Sequence, residues 1–139
     1  MNIVILGASA LATAQHLKAL YPQAMIHGLR GRADGAERHY DEFGEHLRTL
    51  YREGQPLLAL CAAGIVIRSL AALLAEKGAE PPVLALAEDG SAVVPLLGGL
   101  ADHAPPHVVG RAPVENFLQG TATTEALLMF IQAALAPTG

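Results

Sequence analysis

Tryptophan is absent from this 139-residue chain, and there is a single cysteine, Cys61. One thiol excludes an internal disulfide and agrees with a reducing, cytoplasmic setting. Aromatic residues make up only 4% and charged residues 16%, whereas 52% of the chain is apolar, which is globular composition and not disordered composition. Positive charge is also scarce. Nine Lys and Arg stand against thirteen Asp and Glu, a formal charge of −4, which argues against a nucleic-acid module with its basic face. No apolar run reaches the length of a membrane span, so no membrane partner is expected. The opening stretch from Met1 to Gly7 lacks the basic start of a signal peptide and reads as a first strand. There is no internal repeat, and the length suits one domain, residues 1–139, with a core of real size.

The chain is organised around Leu57–Cys61, five consecutive apolar residues after Pro56. The run is too short for a helix and reads as a central strand buried on both faces, as in a parallel sheet. Ala62-Ala63-Gly64 is then a turn almost without side chains, and a helix follows with Val66, Leu70, Leu73 and Leu74 at helical spacing, ending at Gly78. Such a turn can present bare N–H groups to an anion at the helix N-terminus, or it can simply let the helix pack closely on the sheet.

Upstream, Asn2–Leu6 reads as the first strand and Gly7-Ala8-Ser9 as its turn, with Ser9 an N-cap. Leu11, Ala14, Leu17 and Leu20 form a helical stripe that Pro22 stops. The turn has one glycine where a dinucleotide-binding loop needs three, so nucleotide binding is disfavoured. Met25–Gly28 is a short second strand, Leu29–Gly35 a loop at a strand end, and His39–Arg52 an amphipathic helix ending near Gly54. Downstream, Val83–Ala87 and Ala92–Leu97 read as strands joined by a Glu88-Asp89-Gly90-Ser91 hairpin turn, with Pro95 marking an edge strand. Gly98-Gly99 follows, then a loop over Leu100–Pro106, a short strand at Val108-Val109, a helix from Pro113, and a last helix carrying Leu127, Leu128, Ile131 and Leu135. The expected fold class is α/β: a Rossmann-like (flavodoxin-like), mostly parallel sheet flanked by helices, with one hairpin. The turns at Gly7–Ser9, Ala62–Gly64 and Gly98-Gly99 are expected to gather at one edge of the sheet, where open parallel sheets bind ligands.

The residues offer little overt chemistry. No Ser-His-Asp set can be assembled, and no zinc motif is present. His39 and His46 lie two helical turns apart, too far for one metal, and both read as surface histidines. Pro105-Pro106 breaks any helix that would bring His103 and His107 together. Neither a metal nor a cofactor is expected. Cys61 can be a thiol activated at a helix N-terminus or a small buried apolar residue. Arg68, the lone charge in an apolar stretch, can hold a ligand carboxylate bidentately, snorkel to solvent, or pair with Glu76 or Glu88. Arg30, Arg32, Arg38, Arg48 and Arg52 can form a patch for a carboxylate-rich ligand or a plain solvated face. Glu88 and Asp89 are ligand contacts or only turn residues.

Four pieces of the sequence carry a resemblance: Ala62–Arg68 as AAGI-x-x-R, Lys77–Val83 as K-x-x-x-P-P-V, the turn Glu88–Gly90, and Leu96–Gly99 as LLGG. Together they resemble the N-terminal domain of the cobalamin-biosynthesis protein CbiG, most of all the copies attached to precorrin-3B methyltransferases. The resemblance is strong over Gly54–Gly99 and weaker back to Met1. It breaks at Leu100, where the family continues H-x-G-A-N. It implies action in anaerobic cobalamin synthesis on a carboxylate-rich cobalt-precorrin tetrapyrrole, related to cobalt-precorrin-5A hydrolysis, in which a ring lactone is opened by water and a two-carbon aldehyde released. The alternative implied role is a non-catalytic module that binds a tetrapyrrole, a precorrin methyltransferase or a CobE-like domain. The residues that the resemblance carries over are Ala62, Ala63, Gly64, Arg68, Asp89, Gly90, Gly98 and Gly99; the substrate-binding residues expected here are Ala62, Ala63, Gly64, Arg68, Glu88, Asp89, Gly98 and Gly99, with no catalytic residue identified.

Overall fold

The computed structural model describes residues 1–74, 81, 83–90 and 93–97. The helix end at Gly78, the Gly98-Gly99 bend and everything expected beyond Leu100 lie outside the described residues. In chain order the elements are β1 (Asn2–Ile5), α1 (Leu11–Leu20), β2 (Met25–Leu29), β3 (Arg38–Tyr40), α2 (Phe43–Glu53), β4 (Leu57–Leu60), α3 (Ala63–Leu74), β5 (Val83–Leu86) and β6 (Val93–Leu97). A 3-10 turn, Ala8–Ala10, joins β1 to α1.

The strands form one sheet in the order β3-β2-β1-β4-β5-β6. The first five are mutually parallel, and β6 runs antiparallel to β5. This bears out the α/β, Rossmann-like expectation. The order is the 3-2-1-4-5 of a Rossmann sheet and not the 2-1-3-4-5 of flavodoxin. It reverses at β1, which pairs with β2 on one side and β4 on the other, so the crevice of the fold opens above the ends of β1 and β4.

The expected central strand is β4, whose four residues are all 0% exposed. Its uniform apolarity follows from the layers on either side. Ile3, Ile5, Leu58, Leu60, Leu84 and Leu86 share a core with α1, whereas Val4, Leu57, Ala59, Val83 and Ala85 share one with α2 and α3. Alternate residues of one strand therefore serve opposite cores, and neither face tolerates a polar side chain. Burying each leucine contributes roughly 1.5–3 kcal/mol. α3 faces the sheet with Val66, Leu70 and Leu73, as its spacing predicts.

The hairpin also forms as expected. Gly90 takes φ +77° and its N–H reaches Ala87 O at 2.9 Å. Pro95, which has no N–H to give, sits on the outermost of the described strands, opposite Leu84.

Two local expectations are corrected. The helix predicted over His39–Arg52 begins only at Phe43, because Arg38–Tyr40 is a strand paired with β2. Glu42 caps that helix through bonds from the N–H groups of Gly44 at 3.0 Å and Glu45 at 2.9 Å, and Gly54 ends it at φ +80°. Ser9 is not an N-cap: it lies inside the 3-10 turn, and its hydroxyl turns to Glu88.

Parallel β2 and β3 are joined without a helix. In place of one, Ala33 and Ala36 of the connecting loop are buried in the core that α1 covers. Gly28 permits this close approach, since a Cβ there would stand 2.6 Å from the Ala33 methyl and 2.7 Å from that of Ala36.

Candidate functional site

The carboxyl ends of β4 and β5 and the first turn of α3 line an open cavity of about 500 Å³. Its walls are apolar: Leu6 after β1, Ala62, Ala63 and Ile65 at the start of α3, and Ala85–Ala87 on β5 and beyond. Two groups with chemistry line it, Cys61 and Glu88. Ala63 and Gly64 already belong to α3, so the predicted turn shrinks to Cys61-Ala62, and Ile65 N–H closes back on Ala62 O at 3.1 Å.

Glu88 is held from two directions. Its Oε2 accepts a short hydrogen bond from the Ser9 hydroxyl, and its main-chain oxygen accepts one from Thr13 Oγ1 at 2.7 Å. Thr13 belongs to α1 and is buried. The hairpin turn is thus tied across the sheet to the turn after β1. Cys61 is buried, and desolvation followed by the nearby Glu88 charge pushes its thiol pKa up to about 11. It is a neutral thiol at pH 7, in keeping with the buried-residue alternative and unlike an activated nucleophile.

Of the residues singled out from the sequence, Ala62, Ala63 and Glu88 come together around the cavity. Gly64 and Arg68 do not line it. Both are exposed on the outer side of α3, where Arg68 reaches back along the helix: a Cβ built on Gly64 would lie 4.0 Å from Arg68 Nη1. Among the described residues Arg68 makes no ion pair. Asp89 is exposed in the hairpin turn. Gly7–Ser9 and Ala62–Gly64 meet at the carboxyl edge of the sheet, as expected. Gly98 and Gly99 lie outside the described residues, and β6 ends at Leu97 opposite Val83, at the amino edge.

Two of the five clustered arginines, Arg30 and Arg48, are committed to other contacts. Arg30 pairs with Asp41 at 2.8 Å, and Arg48 donates to Ser69 O at 3.0 Å while lying 3.8 Å from Glu42. The first links the residues that follow β2 and β3, and the bond to Ser69 O links α2 to α3.

A second polar cluster, unforeseen in the sequence, occupies the amino edge beneath α2. His27 is only 5% exposed, and its Nε2 lies 2.9 Å from Asn2 Oδ1. Its Nδ1 lies 2.9 Å from Nε2 of His46, whose ring stacks on Tyr40. Asn2 Nδ2 points to Gln55 Oε1 at 3.5 Å, so Asn2 offers its oxygen to His27. His27 then donates from Nε2, accepts at Nδ1, and receives the proton of His46 Nε2. The reading of His46 as a surface histidine is corrected: it is half-buried and bonded, while His39 lies on β3 with its ring nitrogen 3.1 Å from Ala33 O. Burial above all, then His46 and Arg38, lowers the His27 pKa to about 4, with Glu37 opposing. Among the described residues no group of three potential ligands is placed to hold a metal ion, and no helix is long and apolar enough to cross a membrane.

Residues 45–108 match the family described as Cobalamin synthesis G N-terminal, which places that stretch in cobalamin biosynthesis. The match runs past Leu100, where the motif-by-motif resemblance stops. No curated protein and no solved structure matches the chain. Every residue that lines the 500 Å³ cavity except Leu6 falls within the matched stretch.

Proposed function

Residues 45–108 carry the cobalamin synthesis G N-terminal domain, and from that premise we propose that the chain acts on a cobalt-precorrin intermediate of cobalamin biosynthesis, gripping the tetrapyrrole at the carboxyl edge of its sheet. The observation that carries this reading is the coincidence of the family match with the walls of the cavity. A tetrapyrrole of this class presents apolar ring edges and many carboxylate arms. The alanine- and leucine-lined cavity suits the first, and the outer face of α3 suits the second. There the Ala63 and Gly64 backbone carries the partial positive charge of a helix N-terminus, and Arg68 adds a full one.

Within this role, two readings of the chemistry stand. In the hydrolase reading, Glu88 takes a proton from the water that adds to the lactone carbonyl; its carboxylate lines the cavity and is fixed by Ser9. In the accessory reading, the domain binds the tetrapyrrole or a precorrin methyltransferase without turning anything over. The neutral Cys61 thiol supplies no thiolate nucleophile, which leaves water as the attacking species in the hydrolase reading. Calorimetric titration with cobalt-precorrin-5A, run beside an assay for the released two-carbon aldehyde, separates the outcomes. Binding with aldehyde release supports hydrolysis, and binding alone supports the accessory role. No binding by the folded chain defeats both.

A further inference from the structure

The cavity and the cationic face of α3 are different places, and they differ in the charge they accept. Arg68 and Gly64 stand outside the cavity, on the exposed side of α3. Among the described residues that line the cavity, the one charged group is the Glu88 carboxylate, beside aliphatic side chains and the buried thiol of Cys61. A ligand carboxylate brought against Glu88 would meet a like charge at close range. A ligand N–H or O–H would meet the opposite: a fixed anionic acceptor, the stronger kind of hydrogen-bond partner.

Fixity is what the remaining contacts supply. A glutamate in a turn ordinarily samples several rotamers. Here Ser9 Oγ holds Oε2, and Thr13 Oγ1 holds the main-chain oxygen of the same residue. Both partners come from the segment that follows β1, outside the matched stretch of the chain. Oε1 accepts no hydrogen bond from the described residues and is left for a ligand.

We infer that Ser9 and Thr13 are positioning residues that hold Glu88 as a fixed acceptor, so that the cavity selects an uncharged, hydrogen-bond-donating edge of the ligand and turns its carboxylates outward to Arg68. The inference rests on the tetrapyrrole reading for its ligand but not for its geometry, and two arms of one experiment keep these apart. The first arm uses no ligand. The ¹³Cβ resonance of Cys61 is followed through its alkaline titration in the full chain. Glu88→Gln removes the charge beside the thiol, and Ser9→Ala frees the carboxylate to swing away. Both move the midpoint down from the wild-type value, and Thr13→Val does so to a smaller degree. Wild-type midpoints in Glu88→Gln and Ser9→Ala overturn the positioning role, whatever binds.

The second arm titrates two corrinoids that differ only at their arms, one ending in carboxylates and the other in primary amides. Glu88→Gln weakens the amide probe about tenfold or more, the loss of one charge-assisted bond, and leaves the carboxylate probe unchanged or tighter. Ser9→Ala weakens the amide probe in the same sense at an unchanged melting temperature. Arg68→Ala weakens the carboxylate probe selectively. Equal losses for both probes in Glu88→Gln overturn the selectivity. Failure of the wild-type chain to bind either probe overturns the tetrapyrrole reading and with it the selectivity, while the thiol arm still decides the positioning of Glu88.

Discussion

Acid should unfold this protein earlier than its carboxylates alone require, and His27 is the reason. The ring is buried between β1 and α2 with both nitrogens committed, Nε2 to Asn2 and Nδ1 to His46. Adding a proton at Nδ1 breaks the bond from His46 and sets a charge in the core near Arg38. The fold therefore depresses the pKa from 6.5 to about 4. The unfolded chain takes up the proton first, so the stabilisation is complete above about pH 6.5 and is lost as the pH falls toward about 4. At about 1.36 kcal/mol per pH unit the whole effect is about 3 kcal/mol, of which about 2 kcal/mol is gone by pH 5. His46, whose pKa is lowered chiefly by burial, acts in the same direction. Urea unfolding at pH 7.0, 6.0, 5.0 and 4.5 measures the loss, and His27→Gln provides the control, since it keeps a polar group beside Asn2 but cannot titrate. The variant starts less stable at pH 7 and declines more gently, so the two curves converge in acid. Parallel curves between pH 6.5 and 4.5, or an NMR titration midpoint for His27 near 6.5, would refute the reasoning.

Three further outcomes follow from the geometry. Leu58→Ala, at a side chain with no exposure in the middle of the sheet, lowers stability by about 2–5 kcal/mol in urea melts, the range for a leucine cavity in a core. Gly28→Ala is destabilising although the change is one methyl, because the new Cβ meets the methyls of Ala33 and Ala36 well inside contact distance; thermal melts show a lower Tm, and an unchanged Tm would mean that the β2–β3 loop yields freely. Arg68→Ala weakens binding of cobalt-precorrin by roughly 1.5–3 kcal/mol in calorimetry, Arg68→Lys recovers part of it, and neither shifts the melting temperature, since the side chain is exposed.

Much of the fold was legible because its main signals are local. Leu57–Leu60 announces a doubly covered strand by apolarity alone, and Asp89-Gly90 announces the hairpin by the φ that Gly90 adopts. β3 was not legible. It is three residues long with Arg38 and His39 exposed, and its buried residue, Tyr40, falls in phase with the helical stripe of Phe43, Leu47 and Leu50. The helix pattern therefore runs backwards across the strand. The site was legible in the turn after β4 and at Glu88, and opaque elsewhere. Ser9 and Glu88 are 79 residues apart, and His27 and His46 are 19 apart on different elements. No spacing rule joins such pairs; only the parallel crossovers do. Arg68 was placed on the right helix, but the sequence could not tell that it faces away from the cavity.

The position of β4 between β1 and β5 also governs where this chain can be cut. The family segment begins at residue 45, two residues inside α2, and so leaves β1, β2 and β3 behind. Excised at that boundary, β4 loses the partner that pairs with it from Asn2 to Ile5 and becomes a bare edge. Its open row of N–H and C=O groups would then lie on a strand with no charge, no proline and no bulge, beside leucines stripped of the core formed by Ile3, Ile5 and α1. Natural sheets guard their edges with just the features this strand lacks. The first 44 residues supply the pairing strand and the core that cover β4, so a fragment beginning at residue 45 is a candidate for aggregation in place of folding.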